Sequence, residues 1–228
     1  DDGVRYIMDA GSNIESSRFS AELARRYEFI YSAVGIHPEN ADGFAGNSLA
    51  EIRDIAKFKK VRAIGEIGLD YHYDDSNREI QRKVFEEQVK LAIELNLPVI
   101  VHDRDAHRDT YRILKEYAGR GLAGVLHCYS GSNELAAEYV RMGFYLGFGG
   151  VITFKNAKKP GEILRSTPMD RILIETDCPY LAPSPFRGKR NDSRYLKYTA
   201  RKACEILNVD FDSFTETTCK NARRLFGI

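Results

Sequence analysis

Glu66, His102, His127 and Asp177 each sit at the end of an apolar run, in VRAIGE, PVIVH, GVLH and RILIETD respectively. A carboxylate or imidazole at the end of a segment built for burial is costly unless it finds a partner. Donors converging from the ends of separate strands are what a divalent cation would satisfy. Mixed imidazole and carboxylate ligation suits Zn²⁺, Mn²⁺ or Fe²⁺, and Mg²⁺ where carboxylates and water dominate. A lone histidine at a strand end is more often a hydrogen-bonded core residue, so it is the clustering that favours a metal. Glu175, two residues before Asp177, should face the same way and support the ligands from behind. Alternation along a strand turns Cys128 away from the side taken by His127, and Cys178 away from Asp177, so no thiol ligand is expected. His37, in GIHP, is either a supporting residue or a turn former. His72 and His107 are weaker candidates, with His107 expected to face solvent.

A second group of residues suits phosphate. The segment PYLAPSPFRGKRND after Asp177 is rich in turn formers and carries Arg187, Lys189, Arg190 and Asn191. Arg104 follows His102, and Lys155 follows the LGFGGVITF run. Surface cations are usually just solvated. Above a metal rim, guanidinium forks and ammonium charges complement phosphate oxygens. Tyr71, Tyr73 and Phe154 could stack on bases, with packing as the plainer role for each.

These side chains need a scaffold that brings several strand ends together. Strands are expected near Arg5 to Asp9, Ile30 to Ile36, Val61 to Glu66, Pro98 to His102, Gly124 to Cys128, Phe144 to Phe148 and Arg171 to Asp177. Helical patterns lie between them, over Ser16 to Arg26, Leu49 to Phe58, Asn77 to Leu95, Ala106 to Tyr117 and Ser132 to Met142. A further helical stretch runs from Ser193 to Phe226, broken near Asn208. Regular βα alternation implies a parallel sheet covered by helices. The turn after the first strand, DAGSNIES, lacks the GxGxxG of a doubly wound nucleotide binder. Polar groups at many strand ends fit a (β/α) TIM-type barrel instead. Such a barrel has eight strands and about seven are legible here, so an upstream βα unit is expected to be missing.

Composition narrows the class further. The chain has 228 residues with 34 basic against 33 acidic side chains, so no global basic field marks it as a nucleic-acid binder and an anionic ligand must be gripped locally. A chain of this length is expected to form a single domain over residues 1–228. Its four cysteines form no CxxC pair, which fits reduced thiols in a cytoplasmic protein. No apolar run approaches membrane-spanning length, and a monomer is expected.

At these residues the sequence resembles the TatD family of metal-dependent hydrolases. The resemblance is carried by AVGIHPE, IGEIGLDYHYD, PVIVHDRDA, LHCYSG, LGFGGVITFKNA, LIETDCPYLAPSPFRGKRND and the closing NARRLF, in that order along the whole chain. It implies a (β/α)8 barrel with a binuclear metal centre, up to two divalent ions of Mg, Mn or Zn. It also implies hydrolysis of phosphodiesters at DNA ends or in short single-stranded nucleic acid, commonly as a 3′ to 5′ exodeoxyribonuclease. Carried over by motif, Glu66 would bridge two metals, His102 and His127 would ligate one of them, and Asp177 would ligate the other and act on the water nucleophile. Members of the family open with a strand ending in an HxH pair that completes the Asp177 site. No HxH occurs in this chain.

Two other readings stand beside this one. An amide or ester metallohydrolase could use the same barrel, since fold does not fix substrate; the basic loop argues for phosphate. A truncated, noncatalytic scaffold is the reading that the absent HxH supports.

Overall fold

Apolar β-branched runs form the strands and amphipathic segments the helices of a computed structural model that describes residues 3–73 and 77–228. The chain divides into two compact units, Arg5–Val125 with Phe226–Ile228, and Leu126–Leu225 with Gly3 and Val4.

The first unit alternates β1 (Ile7–Ala10), α1 (Ile14–Arg26), β2 (Ile30–Val34), α2 (Ser48–Ala56), β3 (Val61–Asp70), α3 (Arg78–Leu95), β4 (Val99–Arg104) and α4 (His107–Tyr117). β1 to β4 pair in parallel in sequence order. Val99 N–H donates to Ala123 O at 2.9 Å, just ahead of β5 (Gly124–Leu126). Val34, Ala63, Ile64, Ile67, Leu69 and Val101 are fully buried and fill the core beneath the strand ends.

α3 shows why the sequence positions a site here. Asn77 caps the helix by accepting from Ile80 N–H at 3.2 Å, and left-handed Asn96 ends it. Two glutamines, Gln81 and Gln88, lie two turns apart on its buried face. Gln88 clasps the backbone of Ile36, accepting its N–H at 2.7 Å and donating to its carbonyl at 3.0 Å. Gln81 accepts Asp70 N–H at 2.9 Å. Buried amides of this kind satisfy backbone groups that have run past the regular ladder. One helix face therefore fixes the chain beside His37 and at the end of β3.

The second unit holds α5 (Asn133–Arg141), β6 (Tyr145–Phe148), α6 (Lys158–Ser166), β7 (Ile172–Ile174), α7 (Leu196–Leu207) and α8 (Phe211–Phe226), the last up to Leu225. β6 and β7 are parallel, with Gly147 opposite Leu173. Left-handed Asn208 ends α7, where the break in the long helical stretch was expected.

The structure differs from the sequence reading at several ends. β5 stops at Leu126 and β7 at Ile174, so His127, Cys128, Glu175 and Asp177 lie beyond their strands. β3 runs on to Asp70, four residues past its expected end at Glu66. α6 lies where no helix was expected, and its Pro160 falls in the first turn, where proline is tolerated. Among the described residues, no helix is long and apolar enough to cross a membrane.

Candidate metal centre

In the first unit the site begins with an irregularity in β3. Ile64 pairs with Val99 and Ile67 with Val101, so Gly65 and Glu66 together oppose Ile100. A bulge of this kind re-aims the side chain it carries. Gly68 lies beside β4 at φ +147°, and a Cβ there would run into the His102 carbonyl oxygen. Glu66 and His102 are thereby drawn together, with Glu66 Oε1 2.9 Å from His102 Nδ1. The other ring nitrogen, Nε2, is 3.0 Å from Asp70 Oδ2. Asp70 is 2% exposed, and its second oxygen accepts His72 N–H at 3.0 Å. Arg104 approaches the same carboxylate at 4.0 Å.

His37 completes the group. Its Nε2 lies 3.7 Å from Glu66 Oε1, and its ring packs edge-on against His102 with centroids 4.4 Å apart. Its Nδ1 accepts Glu39 N–H at 3.2 Å, capping the short 3-10 turn Pro38–Gly43. Donor atoms of His37, Glu66 and His102 all lie within 4.8 Å of one another, close enough for one cation to sit among them.

The electrostatics are opposed within this group. Burial would lower the basicity of His102, but the Asp70 and Glu66 carboxylates outweigh it and push the imidazole up to about 9. Burial dominates at His37 and holds it below the ordinary histidine range, despite the charge of Glu66. Asp70 also feels burial most, which would raise it, yet the hydrogen bonds from His102 and the His72 backbone hold it low.

The second unit repeats the theme. His127 Nδ1 lies 2.9 Å from Glu175 Oε2, and Nε2 lies 3.3 Å from Asp177 Oδ1. Glu175 Oε1 accepts the Cys128 N–H. Gly147 makes room for this carboxylate, since a Cβ there would come within 2.6 Å of Glu175 Oε2. Glu175 and Asp177 thus bracket one imidazole, one at each ring nitrogen.

The expectation for Cys128 fails. With the strand ended and Cys128 at φ +42°, alternation no longer applies. Its thiol joins His127 and Asp177 in a group whose donor atoms lie within 4.8 Å of one another. Burial pushes that thiol up to about 12. Cys178 is exposed.

The donor sets fit divalent cations. Each unit offers an imidazole and a carboxylate, and in each the imidazole has a further carboxylate on its second nitrogen, the arrangement that fixes the tautomer of metal-binding histidines. Asp70 is the member that sequence reasoning missed. The signal was present in GEIGLD, a carboxylate four residues after Glu66.

The phosphate candidates are placed unevenly. Lys155, Arg187, Lys189 and Arg190 are exposed, and Arg187 lies over the Phe154 ring at 4.3 Å. Arg104 is exposed and lies 5.7 Å from the Tyr73 ring centroid. Asn191 differs from expectation: it is 3% exposed, and its amide donates to Tyr180 O at 2.7 Å, so it shapes the loop instead of offering a free phosphate donor. Tyr71 is likewise engaged, its hydroxyl donating to Asp109 Oδ2 at 2.9 Å. His107 does not simply face solvent. It is half-buried, with Nδ1 2.9 Å from Asp103 Oδ2. His72 pairs with Asp105 at 2.9 Å.

A parallel α/β fold with imidazole and carboxylate donors within β3 and β4 and just beyond β5 and β7 is what a metal-dependent hydrolase needs. The model of the TatD related DNase family matches residues 1–227, and the chain belongs to that family of metal-dependent hydrolases. It is 50% identical over 225 residues to the uncharacterized metal-dependent hydrolase YabD of Bacillus subtilis, covering 99% of this chain and 88% of that one. It is 36% identical to the 3′-5′ ssDNA/RNA exonuclease TatD of Cronobacter sakazakii, over 98% of this chain and 87% of that protein. The crystal structure of the TatD homologue YjjV from Escherichia coli matches with a TM-score of 0.95 at 31% identity, over 100% of this chain and 88% of that one. The fold is accordingly the α/β, TIM-type barrel class of the TatD hydrolases.

Proposed function

We propose that this hydrolase cleaves phosphodiester bonds at DNA ends or in short single-stranded nucleic acid, as a 3′ to 5′ exodeoxyribonuclease like the relative from Cronobacter sakazakii is named to be. The observation that carries the reading is the pairing of each imidazole with two carboxylates, Glu66 and Asp70 at His102, Glu175 and Asp177 at His127. The exposed Arg187, Lys189 and Arg190 favour phosphate over an amide or neutral ester.

Glu66 and His102 in one unit, and His127 and Asp177 in the other, would hold up to two divalent ions, Mg, Mn or Zn. Such ions neutralise phosphodiester charge and make water acidic enough to lose a proton near neutral pH. Asp177 would accept a proton from the attacking water. Asp70 and Glu175 hold the imidazoles in orientation. Arg104 in the first unit, and separately Lys155, Arg187, Lys189 and Arg190 in the second, would meet phosphate oxygens, and Asn191 keeps the second unit's loop in shape. The protein acts as a single-domain monomer in the cytoplasm.

The test is incubation of the purified chain with Mg²⁺, Mn²⁺ or Zn²⁺ and a 5′-labelled single strand, alongside elemental analysis of bound metal. The expected result is bound metal and a ladder that shortens from the 3′ end. Cleavage of an amide or carboxylic ester with an intact DNA strand would overturn the substrate class. Absence of both metal and cleavage would leave the scaffold reading.

A further inference from the structure

We infer that His37 is neither a metal ligand nor only a turn former, but a fixed hydrogen-bond donor for an anionic phosphate oxygen. The inference rests on the phosphodiester reading above and assigns that site one more binding residue. A ring nitrogen that accepts a backbone N–H has its lone pair committed and carries no proton. Nδ1 accepts from Glu39 at 3.2 Å, so the neutral ring must carry its proton on Nε2. In that tautomer neither nitrogen can ligate a cation without surrendering the turn, even though the ring stands among cation-spaced donors.

Nε2 is 3.7 Å from Glu66 Oε1, beyond hydrogen-bond length. The proton is therefore presented beside the Glu66 carboxylate without being consumed by it. The ring has little freedom to turn elsewhere. His37 N–H donates to Ser12 O at 2.9 Å, Pro38 follows, Gln88 holds Ile36 by both backbone groups, and His102 packs against the ring. A donor held this way needs no reorganisation when an oxyanion arrives, which is how enzymes stabilise charge on phosphoryl oxygens. The ligand class is a non-bridging phosphate oxygen, of the phosphodiester or of the phosphomonoester product.

Two substitutions separate the two ring nitrogens. In His37→Asn, Oδ1 can replace Nδ1 as the acceptor for Glu39, because asparagine is a good cap, while the distal donor is lost. In His37→Gln, the amide nitrogen can replace Nε2–H while the cap is lost. Inorganic phosphate binding to the metal-loaded chain is measured by calorimetry, together with metal content and melting temperature. The expected result for His37→Asn is unchanged metal content and melting temperature with phosphate bound about ten-fold more weakly or worse. His37→Gln should recover most of the affinity while melting lower.

Wild-type phosphate affinity in His37→Asn would overturn the inference in favour of a turn role. Loss of metal from that variant would overturn it in favour of a ligand, and failure of the wild type to bind phosphate would also overturn it. If the phosphate pattern holds but no strand is degraded, the nuclease reading falls and the role of His37 stands.

Discussion

Glu175 Oε2 sits 2.9 Å from His127 Nδ1, on the side of the ring opposite Asp177. The same carboxylate accepts Cys128 N–H, so it fixes both the ring and the turn that carries it. Glu175→Ala should lower metal affinity by about 10- to 100-fold, the usual effect of losing a carboxylate behind a metal-binding histidine. The orphaned backbone donor should also cost about 1–3 kcal/mol of stability. Chelator competition and thermal melts read the two effects separately, and a variant with wild-type metal affinity would remove Glu175 from the site. Gly147→Ala gives an independent check. Its Cβ would crowd Glu175 at 2.6 Å, so it should weaken metal binding without touching a ligand.

Asp70 plays the corresponding part at His102, and its 2% exposure makes it the more sensitive position. Asp70→Ala strips acceptors from His102 Nε2 and His72 N–H together. Metal affinity should fall by about 10- to 100-fold. Asp70→Asn keeps an acceptor and should recover part of it. Equal losses in both variants, matched by equal drops in melting temperature, would mean that Asp70 serves the fold alone.

The pH dependence of metal uptake follows from His102. In the metal-free chain its folded pKa is raised to about 9, above the roughly 6.5 of an unfolded histidine. The stabilisation from its two carboxylates is thus fully present below pH of about 6.5 and lost as pH rises through about 9. A cation must displace that proton. Uptake should therefore release protons at neutral pH, and apparent affinity should climb with pH until it levels near 9. Calorimetry in buffers of different ionisation enthalpy counts the protons, and a release of zero at pH 7 would show that His102 is not displaced.

The sequence made the strands legible because their apolar runs are short and bounded, and it singled out Glu66, His102, His127 and Asp177 because polar groups at such run ends demand a reason. What it hid depends on backbone detail. Cys128 joined His127 because the strand stops at Leu126 and φ becomes positive, which no alternation rule foresees. Asp70 escaped notice because β3 was expected to end at Glu66, whereas Gln81 holds its last residue in place. Asn191 looked like an exposed ligand in a basic loop, but its amide is spent on Tyr180 O. The tautomer of His37 depends on a single backbone bond to Glu39, and GIHP alone is equally compatible with either ring nitrogen.

Asp177 separates binding from chemistry most directly. It lies beyond β7, with a side chain 32% exposed, and contacts His127 Nε2 at 3.3 Å. Little of the fold depends on it, so Asp177→Asn should melt within about 1 kcal/mol of wild type, as substitutions outside the core generally do. An amide cannot take a proton from water, so strand cleavage should fall by about 10²- to 10⁴-fold. Phosphate affinity should change far less than turnover, because the cationic loop is untouched. Undiminished turnover would take the proton-accepting role away from Asp177. A parallel collapse of metal content would make it a ligand first, with the proton passing to another carboxylate of the site.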